Sequence, residues 1–145
     1  IFQNAKKVAF YKPMKDEISL EFLFESGKEL FLPRYDAETE KYTMALVENK
    51  EQLISGKYGI LEPRANCREA EKNEIELWFI PGMAFSRSGY RLGRGAGFYD
   101  RLLENEKGIK AGICCAERIL NEINRETHDV IMDFVLTDKE IIKTN

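Results

Sequence analysis

The run EIELWFIPG, Glu74–Gly82, does more than any other segment to narrow the folds open to this chain. Its centre is apolar and aromatic without a break, and Pro81-Gly82 closes it, so it reads as a buried strand. Candidate partner strands are KVAFY (Lys7–Tyr11), KELFLP (Lys28–Pro33), KYTMALV (Lys41–Val47), KAGICCA (Lys110–Ala116) and DFVLTD (Asp133–Asp138). In DEISLEFLFESG, the apolar positions Ile18, Leu20, Phe22, Leu23 and Phe24 fit a helix about as well as a strand. Asp16 as N-cap and Gly27 just past the end favour a helix. A second helix is expected over GFYDRLLENEKG, stopped by Gly108, and NKEQLISGKYGILEP opens with a short helical turn before Pro63. RYDAETE reads as a polar connection. Strands alternating with helices in a short chain argue for an α/β fold with a largely parallel sheet.

The chain has 145 residues, enough for one compact domain. With 43% apolar and 32% charged residues it has an ordinary globular balance. A net charge of −3 argues against general attraction to nucleic acid or anionic lipid. No apolar run approaches the roughly 18 residues needed to span a bilayer. The start, IFQNAKK, has no secretory-signal pattern and no initiator methionine, so further residues upstream of Ile1 are expected. Cys114 and Cys115 are adjacent and Cys67 stands alone, which excludes a disulfide framework. There is no C-x-x-C and only one histidine, His128, which argues against a Cys/His zinc site as well. AGICC reads as a buried strand using cysteine as a small apolar residue, in a reducing, cytoplasmic compartment.

The stretch SGYRLGRGAGFYDRLL, Ser88–Leu103, inverts the sign of the chain locally. From Arg87 to Arg101 there are four arginines against one aspartate. Gly93, Gly95 and Gly97 can adopt φ > 0 and let backbone N–H groups approach an anion. The helix expected to follow would add unpaired N–H groups at its start. The spacing is not the dinucleotide fingerprint, since Phe98 follows Gly95 by three, and no Walker-type lysine motif exists. A phosphate site and a plain flexible loop feeding a helix both remain open on spacing alone. The interleaving of arginine with glycine favours the anion.

PGMAFSRSGYRLGRGAGFYDRLL resembles the signature of the 5-formyltetrahydrofolate cyclo-ligase family, also called methenyltetrahydrofolate synthetases. YKPMKDEI, ELFLPR, ILEP and HDVIMDFVLTD resemble other segments of that family in the same order, over nearly the whole chain. The resemblance implies a three-layer α/β/α, Rossmann-like fold with a largely parallel central sheet and helices on both faces. It implies Mg-ATP-dependent conversion of 5-formyltetrahydrofolate, possibly polyglutamylated, into 5,10-methenyltetrahydrofolate by way of an N5-iminium phosphate, with ADP and phosphate released. A non-catalytic folate- or nucleotide-binding module of the same fold is the alternative. A monomer acting on a small molecule, without nucleic-acid or membrane partners, is expected. Family members normally begin with a helical segment whose basic cluster contacts ATP. Here residues 1–145 are expected to form one domain lacking that segment, with Lys6 and Lys7 too close to the first strand to replace it.

Site roles follow from the same resemblance. Arg91, Leu92, Gly93, Arg94, Gly95, Ala96, Gly97, Phe98 and Tyr99 would wrap the ATP phosphates. Within that run Arg94–Phe98 would also face the folate, and Arg94 would stabilise charge on the transferred phosphoryl group. Asp100 and Asp129 would hold Mg²⁺, a metal that takes one or two carboxylates and keeps several waters. Glu17 would contact the folate, with Phe98 and Tyr99 as apolar walls. Each has a plainer reading. Asp100 and Glu17 also suit the first turn of a helix, and Asp129 suits a cap or a solvated surface. His128 fits a structural role better than a catalytic one, and Trp78 fits the core. Two positions depart from the family pattern: Ser86 stands where aspartate is usual, and Ala96 where lysine or glycine is common.

Overall fold

A computed structural model describes residues 1–56, 59–95, 97–124 and 129–144. Ala96 and His128 therefore lie outside the described residues. Seven strands form one sheet: β1 (Lys7–Ala9), β2 (Glu29–Asp36), β3 (Lys41–Val47), β6 (Leu77–Pro81), β9 (Ile109–Ile113), β11 (Phe134–Leu136) and β12 (Ile141–Lys143). Their spatial order is β12-β11-β9-β6-β1-β2-β3. The pairs β1–β2, β1–β6, β6–β9 and β9–β11 are parallel, while β2–β3 and β11–β12 close the edges antiparallel. Two smaller sheets accompany it: a hairpin of β4 (Leu53–Ser55) with β5 (Leu61–Pro63), and a three-stranded sheet of β10 (Ile119–Leu120), β7 (Ala84–Ser86) and β8 (Arg91–Leu92).

Every residue of β6 is buried, as its unbroken apolar run requires of a central parallel strand. Side chains alternate between two cores. Val8, Phe10, Leu30, Leu32, Leu77 and Phe79 belong to one cluster, which Leu20 and Leu23 cover. Ala9, Phe31, Trp78 and Ile80 belong to the other, covered by Phe85, Tyr99, Leu103 and Met132. Trp78 is core as expected, 2% exposed. The mostly parallel sheet is borne out. The three-layer arrangement with helices on both faces is not what the described residues display, because only α1 (Phe98–Leu103) is an α-helix and the rest are short 3₁₀ turns. No helix among the described residues is long and apolar enough to cross a membrane.

The expected helix over Asp16–Gly27 contracts to a 3₁₀ turn at Glu21–Glu25. Local bonds hold the segment before it out of helix: the Tyr11 hydroxyl donates to the Ile18 carbonyl at 2.8 Å, and the Met14 N–H donates to the Glu17 carboxylate at 2.8 Å. Leu20 and Leu23 are buried three apart while Phe22 is exposed, the spacing of a three-residue turn. Gly27 does lie just past the end with φ 76°. The helix expected over Gly97–Gly108 stops at Leu103. Asn105 adopts φ 60°, the Lys72 ammonium donates to the Glu104 carbonyl at 2.6 Å, and the Asn73 N–H donates to the Glu106 carboxylate at 3.0 Å. Tertiary clamps from residues 72 and 73 thus override a helical sequence.

The polar connection RYDAETE is half strand. β2 runs on through Arg34, Tyr35 and Asp36, paired to β3 beyond the point where β1 ends. Pro33 is tolerated there because no β1 residue lies opposite it.

Candidate functional site

The chain leaves β1 toward β2 on one side, and leaves β6 toward β9 on the other. β1 and β6 are neighbours, so a crevice opens between their outgoing connections at the carboxyl ends, where open α/β sheets bind ligands. A cleft of about 300 Å³ lies there. Tyr11, Lys12, Met14 and Glu17 from the loop after β1 line it, as do Pro81 and Gly82 at the end of β6. Arg91, Gly93, Arg94, Gly97, Phe98 and Tyr99 form the opposite wall. Pro33, Tyr42, Ile60, Leu61 and Glu62 complete it.

The arginine–glycine stretch is not a simple strand–loop–helix junction. The β7–β8 hairpin intervenes, its turn fastened by Ser86: the Tyr90 N–H donates to the Ser86 hydroxyl at 3.0 Å, and the Ser86 and Ser88 hydroxyls lie 3.0 Å apart. Serine in place of aspartate therefore still ties this turn. After β8, Gly95 and Gly97 take φ 93° and 68°, whereas Gly93 does not enter the left-handed region. A Cβ on Gly93 would stand 2.8 Å from an Arg91 guanidinium nitrogen, so a side chain there would displace that guanidinium. Nothing lies within 4 Å of a Cβ built on Gly95, which leaves open room beside the loop. With six residues, α1 contributes little dipole, so the anion-binding case rests on the loop and its arginines.

Arg91 is the anchored member, its side chain only 10% exposed. It donates to the Pro81 carbonyl at 3.3 Å, lies 3.9 Å from an Asp100 carboxylate oxygen, and sits 5.4 Å from the centre of the Tyr99 ring. Arg94 is more open. It donates to the Asp16 carboxylate at 2.8 Å and lies 4.0 Å from Glu17. Glu17 is nearly buried, its carboxylate taken by the Met14 N–H. Burial pushes the Tyr99 phenol well above its ordinary pKa against the opposing Arg91, and burial followed by Glu17 does the same for Tyr11. Both phenols therefore stay neutral at physiological pH. Phe98 stacks on Tyr42 with ring centres 4.5 Å apart, making a flat apolar wall.

Most of the residues expected at the site meet in this cleft: Glu17, Arg91, Gly93, Arg94, Gly97, Phe98 and Tyr99. Leu92 is 43% exposed and, like Gly95, is absent from the lining. Asp100 stands behind the wall as the ion partner of Arg91, and Asp129 is half-buried on another segment. Among the described residues no three His, Cys, Asp or Glu side chains converge as a metal cluster. Cys67 and Cys114 are buried and Cys115 half-buried, all unpaired, and burial pushes the Cys114 thiol up to about 11. The roles of Tyr11, Lys12, Met14, Tyr42 and Ile60–Glu62 in the lining were not assigned from sequence. YKPMKDEI and ILEP were visible as segments resembling the family, while Tyr42 sits second in β3 with no local signal.

Comparisons with known proteins agree on one family. The model of the 5-formyltetrahydrofolate cyclo-ligase family matches residues 1–138. A 5-formyltetrahydrofolate cyclo-ligase of Mycolicibacterium smegmatis is 34% identical over 146 residues, covering 94% of this chain and 75% of that protein. The mouse 5-formyltetrahydrofolate cyclo-ligase is 29% identical, covering 93% and 74%. The solved 5,10-methenyltetrahydrofolate synthetase of Aquifex aeolicus is 34% identical with a TM-score of 0.86, over 99% of this chain and 74% of that one. A synthetase of Mycoplasma pneumoniae shares the fold at a TM-score of 0.68.

Proposed function

We propose roles for the cleft residues from the premise that the chain belongs to the 5-formyltetrahydrofolate cyclo-ligase family. Its activity is the ATP-dependent conversion of 5-formyltetrahydrofolate into 5,10-methenyltetrahydrofolate, with release of ADP and phosphate. A non-catalytic binding module is not favoured. ATP supplies an electrophilic phosphoryl group that turns the formyl oxygen into a leaving group. What the chain must then do is position two ligands and neutralise charge, without a side-chain nucleophile.

The cleft has the chemistry for that task. The Tyr42–Phe98 stack with Tyr11, Met14 and Leu61 forms an apolar slot for a flat ring system, and Glu17 faces it as an acceptor for pterin N–H groups. The Arg91–Tyr99 segment wraps the phosphates, with Gly95 and Gly97 turning the backbone toward them. Arg94, cationic and exposed at the cleft mouth, stabilises charge on the transferred phosphoryl. Asp100 and Asp129 are the carboxylates assigned to Mg²⁺. Asp100, in the first turn of α1 and 3.9 Å from Arg91, would hold the metal, which would supply further charge neutralisation. The observation carrying this reading is the union, at one switch-point crevice, of the arginine loop with Glu17 and an aromatic slot.

Further parts belong to the same proposal. Apolar clusters on both sheet faces support a Rossmann-like, three-layer arrangement with helices on both faces in the family fold. Unpaired cysteines support a reducing, cytoplasmic setting, and net charge −3 supports a small-molecule enzyme without nucleic-acid or membrane partners; a monomer completes the proposal. Appearance of the methenyl product's near-ultraviolet absorbance only when Mg-ATP and 5-formyltetrahydrofolate are both present tests the reading. Product formed without ATP, or none at all, would refute it.

A further inference from the structure

Arg94 has a neighbour that the family motif segments do not contain. Arg118 ends the 3₁₀ turn Ala116–Arg118, which follows β9 and stands at the same carboxyl rim of the sheet. One of its terminal nitrogens donates to the Met83 carbonyl at 3.2 Å, which steadies the side chain against the strand connection. The other lies 3.5 Å from Oδ2 of Asp16, while Arg94 binds Oδ1 of the same carboxylate at 2.8 Å. Two guanidinium groups, delivered by segments far apart in sequence, thus close on the two oxygens of one anion. All three side chains are between 36% and 43% exposed.

Exposed ion pairs stabilise little, so this trio is a poor device for holding the fold together. It is a good geometry for an anion, because guanidinium forks match oxyanions. Glu17 lies 4.0 Å from Arg94 but is nearly buried and fixed by the Met14 N–H. Asp16 is the exposed member and can turn away into water. We propose that Arg94 and Arg118 form a two-guanidinium clamp for the terminal phosphoryl group of ATP, and that Asp16 occupies the clamp as a competing internal anion until nucleotide displaces it. This rests on the placement of ATP phosphates at the Arg91–Tyr99 segment. It adds a second charge-neutralising residue, Arg118, and a built-in competitor.

Calorimetric titration with Mg-ATP in the absence of folate tests the clamp without reading turnover. Arg118→Ala should weaken ATP binding about tenfold, in the range of a lost charged hydrogen bond, with 5-formyltetrahydrofolate affinity unchanged. Asp16→Asn should tighten it about threefold, the release expected of an exposed ion pair. Loss of folate rather than ATP affinity in Arg118→Ala would overturn the proposal, since Arg118 would then serve a substrate carboxylate. Unchanged ATP binding in Arg118→Ala, alongside a weakened Arg94→Ala, would overturn it by leaving Arg118 as an anchor only. Weaker binding in Asp16→Asn would make Asp16 a strut and overturn the competition. If the unaltered chain binds no ATP, the underlying reading fails, and the inference with it. Near-ultraviolet dichroism of each variant separates these results from misfolding.

Discussion

The interior of the sheet and its carboxyl rim use the same residue type for opposite reasons. In β9, Gly112 is required because Phe85 of the small sheet lies over it: a Cβ there would stand 2.3 Å from a Phe85 ring carbon. At the rim, Gly95 meets nothing within 4 Å, and its constraint is dihedral, φ 93°. One glycine admits a neighbouring aromatic ring, so that two sheets can pack. The other leaves space vacant beside a row of cations. The charges divide in the same way. Glu74, at the amino end of β6, is 9% exposed in its side chain and saturated: Arg68 donates to it at 2.6 and 3.0 Å, Lys7 at 3.1 Å and the Glu71 N–H at 2.8 Å. Arg94 at the other end has only exposed or distant carboxylates. A satisfied charge stabilises a fold, whereas an incompletely satisfied one is available to a ligand.

If that contrast is right, rim substitutions should damage chemistry and interior ones should damage stability. The largest effect is expected from Arg94→Ala: kcat should fall about 10²-fold or more, as for loss of a transition-state charge partner, with 5-formyltetrahydrofolate affinity nearly unchanged. Equal losses in turnover and folate binding would make Arg94 a ground-state contact. Gly112→Ala should destabilise by about 1–3 kcal/mol through overpacking against Phe85, read from urea unfolding. Pairing it with Phe85→Leu should recover part of that loss; strict additivity would show that the two residues do not clash.

Glu74→Gln should cost on the order of 2 kcal/mol, because a buried, multiply bonded carboxylate is replaced by a neutral amide. Arg68 before all else holds the Glu74 carboxyl down to about 2, below its ordinary 4.5. A depressed carboxylate stabilises the fold fully above pH 4.5, and that contribution fades as pH falls toward 2. Unfolding midpoints of the wild type and Glu74→Gln should therefore converge on acidification through that window. A constant gap down to pH 2 would place the stabilisation elsewhere. The smallest effect on stability belongs to Gly95→Ala, about 1–2 kcal/mol of left-handed backbone strain. Its loss of Mg-ATP affinity should exceed that of Gly112→Ala, in keeping with a rim position.

Much of this arrangement was legible in the linear chain. β3 matches KYTMALV residue for residue, and the buried run around Trp78 marked the central strand. Residues Arg91, Arg94 and Phe98 stood out because charge and glycine were concentrated in one local stretch, and all three line the cleft. The failures have a common cause. DEISLEFLFESG and GFYDRLLENEKG carry helical signals, yet Tyr11, Lys72 and Asn73 divert their backbones from a distance. β7, β8 and β10 are two or three residues long, too short for any periodicity to register.

Local pattern was enough to specify a mostly parallel α/β sheet and a glycine-rich loop with an excess of arginine, and the resemblance of that loop's motif identified the family. Which residues share the loop's cleft is a matter of strand order: placing β1 beside β6 brings Tyr11–Glu17 across from Arg91–Tyr99, over 70 residues away. The same order sets Arg118 against Asp16, a pairing with no linear trace. Hydrophobic periodicity reports which face of a segment is buried, but a binding site is made by the gap between segments, and that gap exists only once the chain has closed on itself.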